Sequence, residues 1–239
     1  MGSVHQLEHG SRSTTGTWVP FDWEDPVFGQ QSKGEVVVIR SGGTSGSLSA
    51  GLWRTGPGIA GCNEDGTCDV VYSAPLGDET MLLLEGSTEV TIKSTSKKYQ
   101  LNAGDIICHP KYVQLSWHTN APFLKKFWVM WDGSTPGTAK DDLIIGNIND
   151  NPQAWTCYAW DEPGKGQQKA GEIYLIRDTG STGSLEVGLV AGCPGATLMA
   201  LCPLNTVHLL AMKLLCFLKD WSPLPSMTPG RRLNFKPEM

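Results

Sequence analysis

An all-β fold is expected for this chain of 239 residues: short antiparallel strands arranged as a sandwich or barrel, followed by an incomplete second copy of the same unit. Two observations predict it. From residue 35 to 131 the sequence is a succession of short β-branched or apolar runs, among them EVVVIR (35–40), TMLLLEG (80–86), DIICHP (105–110) and LKKFWVMW (124–131). Clusters of Gly, Pro, Asn and Asp separate most of these runs, which is the pattern of strands joined by turns. A helical period of 3.6 residues is hard to find before residue 198. The second observation is a duplication: TWVPFDWEDPVFGQQSKGEVVVIRSGGTSGSLSAGL (17–52) aligns without a gap with AWTCYAWDEPGKGQQKAGEIYLIRDTGSTGSLEVGL (154–189), 137 positions later. Trp18 and Trp23 recur as Trp155 and Trp160, which points to a packing role in both copies.

The elements follow in order. Residues 1–34 are an N-terminal segment belonging to the duplicated unit, 35–133 the first barrel, 134–153 a linker, and 154–196 the partial second repeat. Residues 197–239 share no recognisable piece with the first copy: by the 137-residue offset Glu79 falls on Cys216 and Gly86 on Pro223. Within this divergent tail, 207–220 is predicted to be one apolar helix and 221–239, with four prolines, an irregular basic segment. A repeat that keeps only its first strands leaves a sheet edge, which must be covered. Either the tail covers it or a second copy of the chain does, so a homodimer is a candidate assembly.

Three stretches carry a family resemblance: DETMLLLEGSTEVTI (78–92), LNAGDIICHP (101–110) and LSWHTNAPFLKKFWVMW (115–131). In order and spacing they resemble the E-x-x-x-x-L-x-G, A-G-D-x-x-x-x-P and W-x(n)-K-x-x-V signatures of the cupin superfamily, in its ureidoglycine aminohydrolase-like and ethanolamine-utilisation-type branch. The resemblance covers about residues 35–131 and the start of a second copy to about 190. It implies a jelly-roll barrel with an incomplete partner, a bicupin arrangement whose halves exchange strands. The second-copy strands are then expected to pair with the N-terminal segment.

The family's first motif holds a metal with two His and a Glu. Here Glu79 matches the Glu, seven residues before Gly86, but the His slots fall on Tyr72 and Ala74 or on Ser73 and Pro75, and the second-motif His slot falls on Leu115. One carboxylate does not make a site for a first-row metal, so no metal and no cofactor is expected. What remains is a small-molecule pocket of aromatic and polar groups. Glu79 is the candidate proton acceptor or donor, and Tyr72, at a vacated ligand position, the candidate hydrogen-bond donor. If Glu79 faces inward, so do Met81 and Leu83; if Leu115 does, so does Trp117, with His118 pointing outward. These four apolar residues and His109 are the candidate substrate contacts.

Composition narrows the partners. Net charge is −5 and Lys and Arg form no run longer than two, which argues against nucleic acid. The longest apolar stretch, VHLLAMKLLCFL (207–218), is short of the ~20 residues a membrane helix needs. MGSVHQLEHGSRSTTG has no apolar signal region, and seven cysteines without a metal-type spacing suit thiols in a reducing compartment. A cytoplasmic protein is expected. Two function classes follow: a metal-independent enzyme promoting isomerisation, dehydration or cyclisation in the first barrel, or a non-catalytic cupin that binds a ligand or builds an oligomer. Convergence of Glu79, Tyr72 and a lysine on one cavity would favour the enzyme.

Overall fold

In the computed structural model, residues 16–42, 47–132, 142–150, 155–162, 164–177, 184–191 and 215–219 are described, and every regular element among them is a β-strand. A seven-stranded antiparallel sheet runs in the order β1 (Val19–Asp25), β2 (Gly29–Ser41), β3 (Ser47–Thr55), β10 (Leu124–Asp132), β5 (Asp78–Glu85), β8 (Asp105–His109), β11 (Ile144–Asn147). A four-stranded sheet, β4 (Cys68–Tyr72), β9 (Leu115–Thr119), β6 (Ser87–Ile92), β7 (Lys98–Asn102), faces it. Together they form a jelly-roll β fold.

Alternation along the strands decides what fills the space between the sheets. On β9, Leu115 and Trp117 are buried while His118 is exposed and holds Asp69 at 2.7 Å. On β6, Thr88, Val90 and Ile92 alternate inward. The inner cluster joins Leu115, Trp117, Val90 and Ile92 to Met81, Leu83, Trp53 and Trp128 of the large sheet. Burying each large apolar side chain contributes about 1.5–3 kcal/mol, so this cluster is the main source of the first barrel's stability.

The large sheet is apolar on both faces. Its outer side presents Leu48, Ile106, Cys108, Val129 and Trp131, and these pack against Tyr174, Ile176, Val187 and Leu189. The latter belong to a third sheet, β12 (Thr156–Glu162), β13 (Gly166–Arg177), β14 (Ser184–Ala191), β15 (Leu215–Lys219). Strands β12, β13 and β14 begin 137 residues after β1, β2 and β3. The copies share irregularities as well: the register shift at Pro20/Asp22 recurs at Cys157/Ala159, and that at Val38/Arg40 recurs at Leu175/Arg177. A buried ion pair crosses between them, Arg177 Nη2 to Asp78 Oδ2 at 2.9 Å.

Residues 19–34 lie in the same sheet as the remainder of the first barrel, because β1 pairs with β2 over its whole length. Two expectations need correction. Second-copy strands pair with one another, β12 with β13 and β13 with β14, and not with the N-terminal segment; each hairpin satisfies its own backbone locally. Residues 215–219, expected within an apolar helix, are strand β15, and they pair antiparallel with β14. The edge of β14 needed backbone partners, and a segment of the tail supplies them. The remainder of 207–220, and all of 221–239, lie outside the described residues.

Candidate functional site

A cavity of about 120 Å³ opens at one end of the first barrel. Six of its fifteen lining residues are aromatic: Phe21 and Trp23 from β1, Trp53 from β3, Tyr72 from β4, Trp117 from β9 and Trp128 from β10. Phe21 stacks on Trp23 at 5.0 Å between centroids, and the edge of Trp23 meets Tyr72 at 5.7 Å. Trp128 can lie against the sheet because its neighbour on β3 is Gly51, where a Cβ would stand 2.8 Å from the indole and 2.3 Å from the Val37 carbonyl. Pro75 and the exposed Leu76 form part of the rim.

Three charged side chains line this space, the exposed Asp22 and the buried Glu79 and Lys126. Strand alternation turns Glu79 of β5 and Lys126 of β10 inward, and Lys126 Nζ donates to Glu79 Oε1 at 3.1 Å. Their side chains are 4% and 10% exposed. The ammonium also contacts Met81 Sδ at 2.9 Å and lies over the rings of Trp117 and Trp53, at 5.0 and 5.2 Å from their centroids. Four neighbours therefore hold one lysine in a single place, and the cation–π contacts replace part of the hydration it gives up.

Behind Glu79 lies His109, its Cα partner on β8. His109 Nε2 is 2.6 Å from the Val113 carbonyl. A carbonyl only accepts, so Nε2 carries the proton and Nδ1 is the bare nitrogen. Burial is the main cause that holds the imidazole down to about 4, so it is neutral at physiological pH. The 4.0 Å approach of Nδ1 to Glu79 Oε2 is then not an ion pair. Both atoms are buried without a hydrogen-bond partner among the described residues, and so is Trp23 Nε1. Burial, with the charge of Glu79 adding to it, holds the Tyr72 phenol well above its ordinary range, so it stays a donor.

Of the sequence-derived candidates, Glu79, Tyr72 and Trp117 line the cavity. Met81 is fully buried beneath Lys126, and Leu83 and Leu115 belong to the core under the cavity floor. His109 stands edge-on behind Tyr72, ring centroids 5.9 Å apart, and is not among the lining residues. Lys126 is the residue that sequence reasoning did not single out. Its signal was present: in LKKFWVMW, Leu124, Lys126, Trp128 and Met130 share one face, and Phe127, Val129 and Trp131 the other. With both faces apolar, one of the two lysines had to enter the packed interior.

A metal centre does not fit these residues. Two donor atoms are left over here, Glu79 Oε2 and His109 Nδ1, 4.0 Å apart, fewer than the three ligands a first-row metal needs, and Tyr72 keeps its proton. Among the described residues no three His, Cys, Asp or Glu side chains come together in a way that could hold an ion.

No family model matches the chain, and no curated protein matches it. Solved structures similar to it include a protein designated ethanolamine utilization protein Q from Salmonella typhimurium, at 13% identity over 49% of this chain and 98% of that one, with a TM-score of 0.31. A protein of unknown function of the DUF861 family from Pseudomonas syringae is similar at 14% identity, over 74% of this chain and 64% of that one, with a TM-score of 0.47. A cupin-2 domain protein from Shewanella frigidimarina is similar at 15% identity, over 40% of this chain and 78% of that one, with a TM-score of 0.30. No helix among the described residues is long and apolar enough to cross a membrane.

Proposed function

We propose that the first barrel binds a small, largely apolar organic molecule bearing a carbonyl or hydroxyl oxygen, and moves a proton on it without a metal. The chain is read as a bicupin whose second copy is reduced to β12–β14 with β15 added. One observation carries this reading: a buried lysine–glutamate pair lines a cavity to which six aromatic side chains contribute. Aromatic walls favour a flat or ring-containing ligand. The ammonium of Lys126, the Tyr72 phenol and Trp23 Nε1 are hydrogen-bond donors available to its oxygen. Glu79 is placed to take a proton from an adjacent atom and return it elsewhere, the step common to isomerisation, dehydration and cyclisation.

The test starts from the purified full chain. Native mass spectrometry and a metabolite pull-down identify a bound molecule, and Glu79→Gln is then compared with wild type for turnover and for binding. The reading requires lost turnover with retained binding. Equal turnover in both proteins, or binding without any conversion, would assign the barrel to ligand storage or sensing instead.

A further inference from the structure

The loop between β3 and β4 ends in a tight turn. Asn63 N donates to Thr67 O at 2.8 Å and Gly66 N to Asn63 O at 2.9 Å. Asp65 Oδ1 accepts from Thr67 N and Oγ1 at 2.9 and 2.7 Å. The next carbonyl, that of Cys68, turns to the opposite side and accepts from Thr119 Oγ1 at 3.2 Å. Cys62, whose N–H donates to the Ile59 carbonyl at 3.1 Å, and Cys68, at the start of β4, are the next residues outward on the two arms of this turn.

The side chains also meet. Cys68 Sγ lies 3.5 Å from the carbonyl of Gly61, the residue before Cys62. Burial, followed by hydrogen bonding with the Cys62 thiol, pushes the Cys68 thiol up to about 12. Both thiols are free, Cys62 partly exposed and Cys68 buried.

We propose that Cys62 and Cys68 are a dithiol site that exchanges with low-molecular-weight disulfides of the glutathione type. The Cys62 thiolate attacks one sulfur of the small disulfide, forming a mixed disulfide and expelling one small thiolate, which takes up a proton. Cys68, having released its proton to solvent, attacks the Cys62 sulfur; the Cys62–Cys68 bond forms and the second small thiol leaves. The chain gives up two electrons and two protons, and the small disulfide gains them. Cys62 attacks first because it reaches solvent. The second step is slow because burial keeps Cys68 protonated, and it quickens as pH rises.

The bond would act close to the cavity. Cys68 begins β4, whose Val70 and Tyr72 line the cavity. On the other side of the loop, Lys33 Nζ donates to the Gly61 carbonyl at 3.1 Å, and the Lys33 carbonyl accepts from Trp53 Nε1 at 3.1 Å. Oxidation therefore ties the start of β4 to the loop that Lys33 holds.

The experiment incubates reduced, full-length protein with oxidised glutathione. Remaining thiols are then alkylated under denaturing conditions, and the chain is cut before Asp65. The expected product is a pair of peptides joined through Cys62 and Cys68, forming about tenfold faster per pH unit below the thiol range. Cys68→Ser should keep one glutathione on Cys62, whereas Cys62→Ser should carry none on Cys68. Wild-type protein that is alkylated at both positions, or that keeps glutathione on Cys62 without the crosslink, overturns the proposal. The wild-type peptides decide the matter even if a serine variant fails to fold.

Discussion

Glu79 turns one oxygen to Lys126 and the other toward the bare nitrogen of His109, so its replacement separates chemistry from architecture. Glu79→Gln keeps the shape and is expected to lower kcat by about 10²–10⁴-fold while changing ligand affinity less than tenfold, measured by turnover and calorimetry on the same preparation. Lys126→Met leaves a carboxylate buried without its cation. A loss of about 3–5 kcal/mol is expected in urea unfolding, and most of it should return in the Glu79→Gln/Lys126→Met double variant. His109 supplies a pH signature. Its folded value, about 4, lies below the unfolded 6.5, so the unfolded chain binds the extra proton first. Stability contributed by the neutral ring is complete above pH 6.5 and falls by about 3 kcal/mol as pH drops to about 4. His109→Gln cannot titrate, and its stability should fall less over that window; parallel curves for the two proteins would contradict the assignment. At this scale the structure places the candidates Glu79, Tyr72 and Trp117 on the cavity wall and His109 behind it, since burial and the Val113 carbonyl are tertiary facts.

At the scale of the element, the motif glycines explain themselves through backbone geometry. Gly86 has φ +82, and a Cβ there would stand 2.2 Å from the Phe123 carbonyl, at the place where the β5–β6 turn meets the start of β10. Gly86→Ala is therefore expected to cost more than about 1 kcal/mol, read as a fall in Tm of at least about 2–4 °C. An unchanged Tm would mean the two segments part more easily than their contact suggests. Strands β5 and β10 were legible as short apolar runs bounded by turn residues, and β6 and β9 by period-two patterning, which survives where one face is packed. Strand β15 was not. VHLLAMKLLCFL is apolar throughout, and a continuous apolar run does not distinguish helix from buried strand; the unpaired edge of β14 made that choice.

At the scale of the whole molecule, the second copy works as a cover. Its Val187 and Leu189 meet Leu48, Val129 and Trp131 on the outer face of the large sheet, and Arg177 reaches Asp78, one residue before Glu79. Asp78 also accepts from the backbone N–H of Lys111, tying the start of β5 to the loop after β8. Arg177→Ala removes a buried guanidinium from Asp78, and a loss of about 3–5 kcal/mol is expected in chemical unfolding. A change under about 0.5 kcal/mol would mean that the two copies hold together by apolar contact alone.

The sequence by itself determined the all-β class, the strand runs of the first barrel and the span and internal register of the repeat, since these depend on local alternation and on identity between two copies of one chain. Only the tertiary structure decided which partner each strand edge took, and which of two adjacent lysines lies buried beside Glu79. It also decided that the second copy packs on the outer face of the large sheet. Those outcomes turn on pairing and burial between segments far apart in the chain, where many partners satisfy the local pattern and the cost of an unpaired edge or charge selects one.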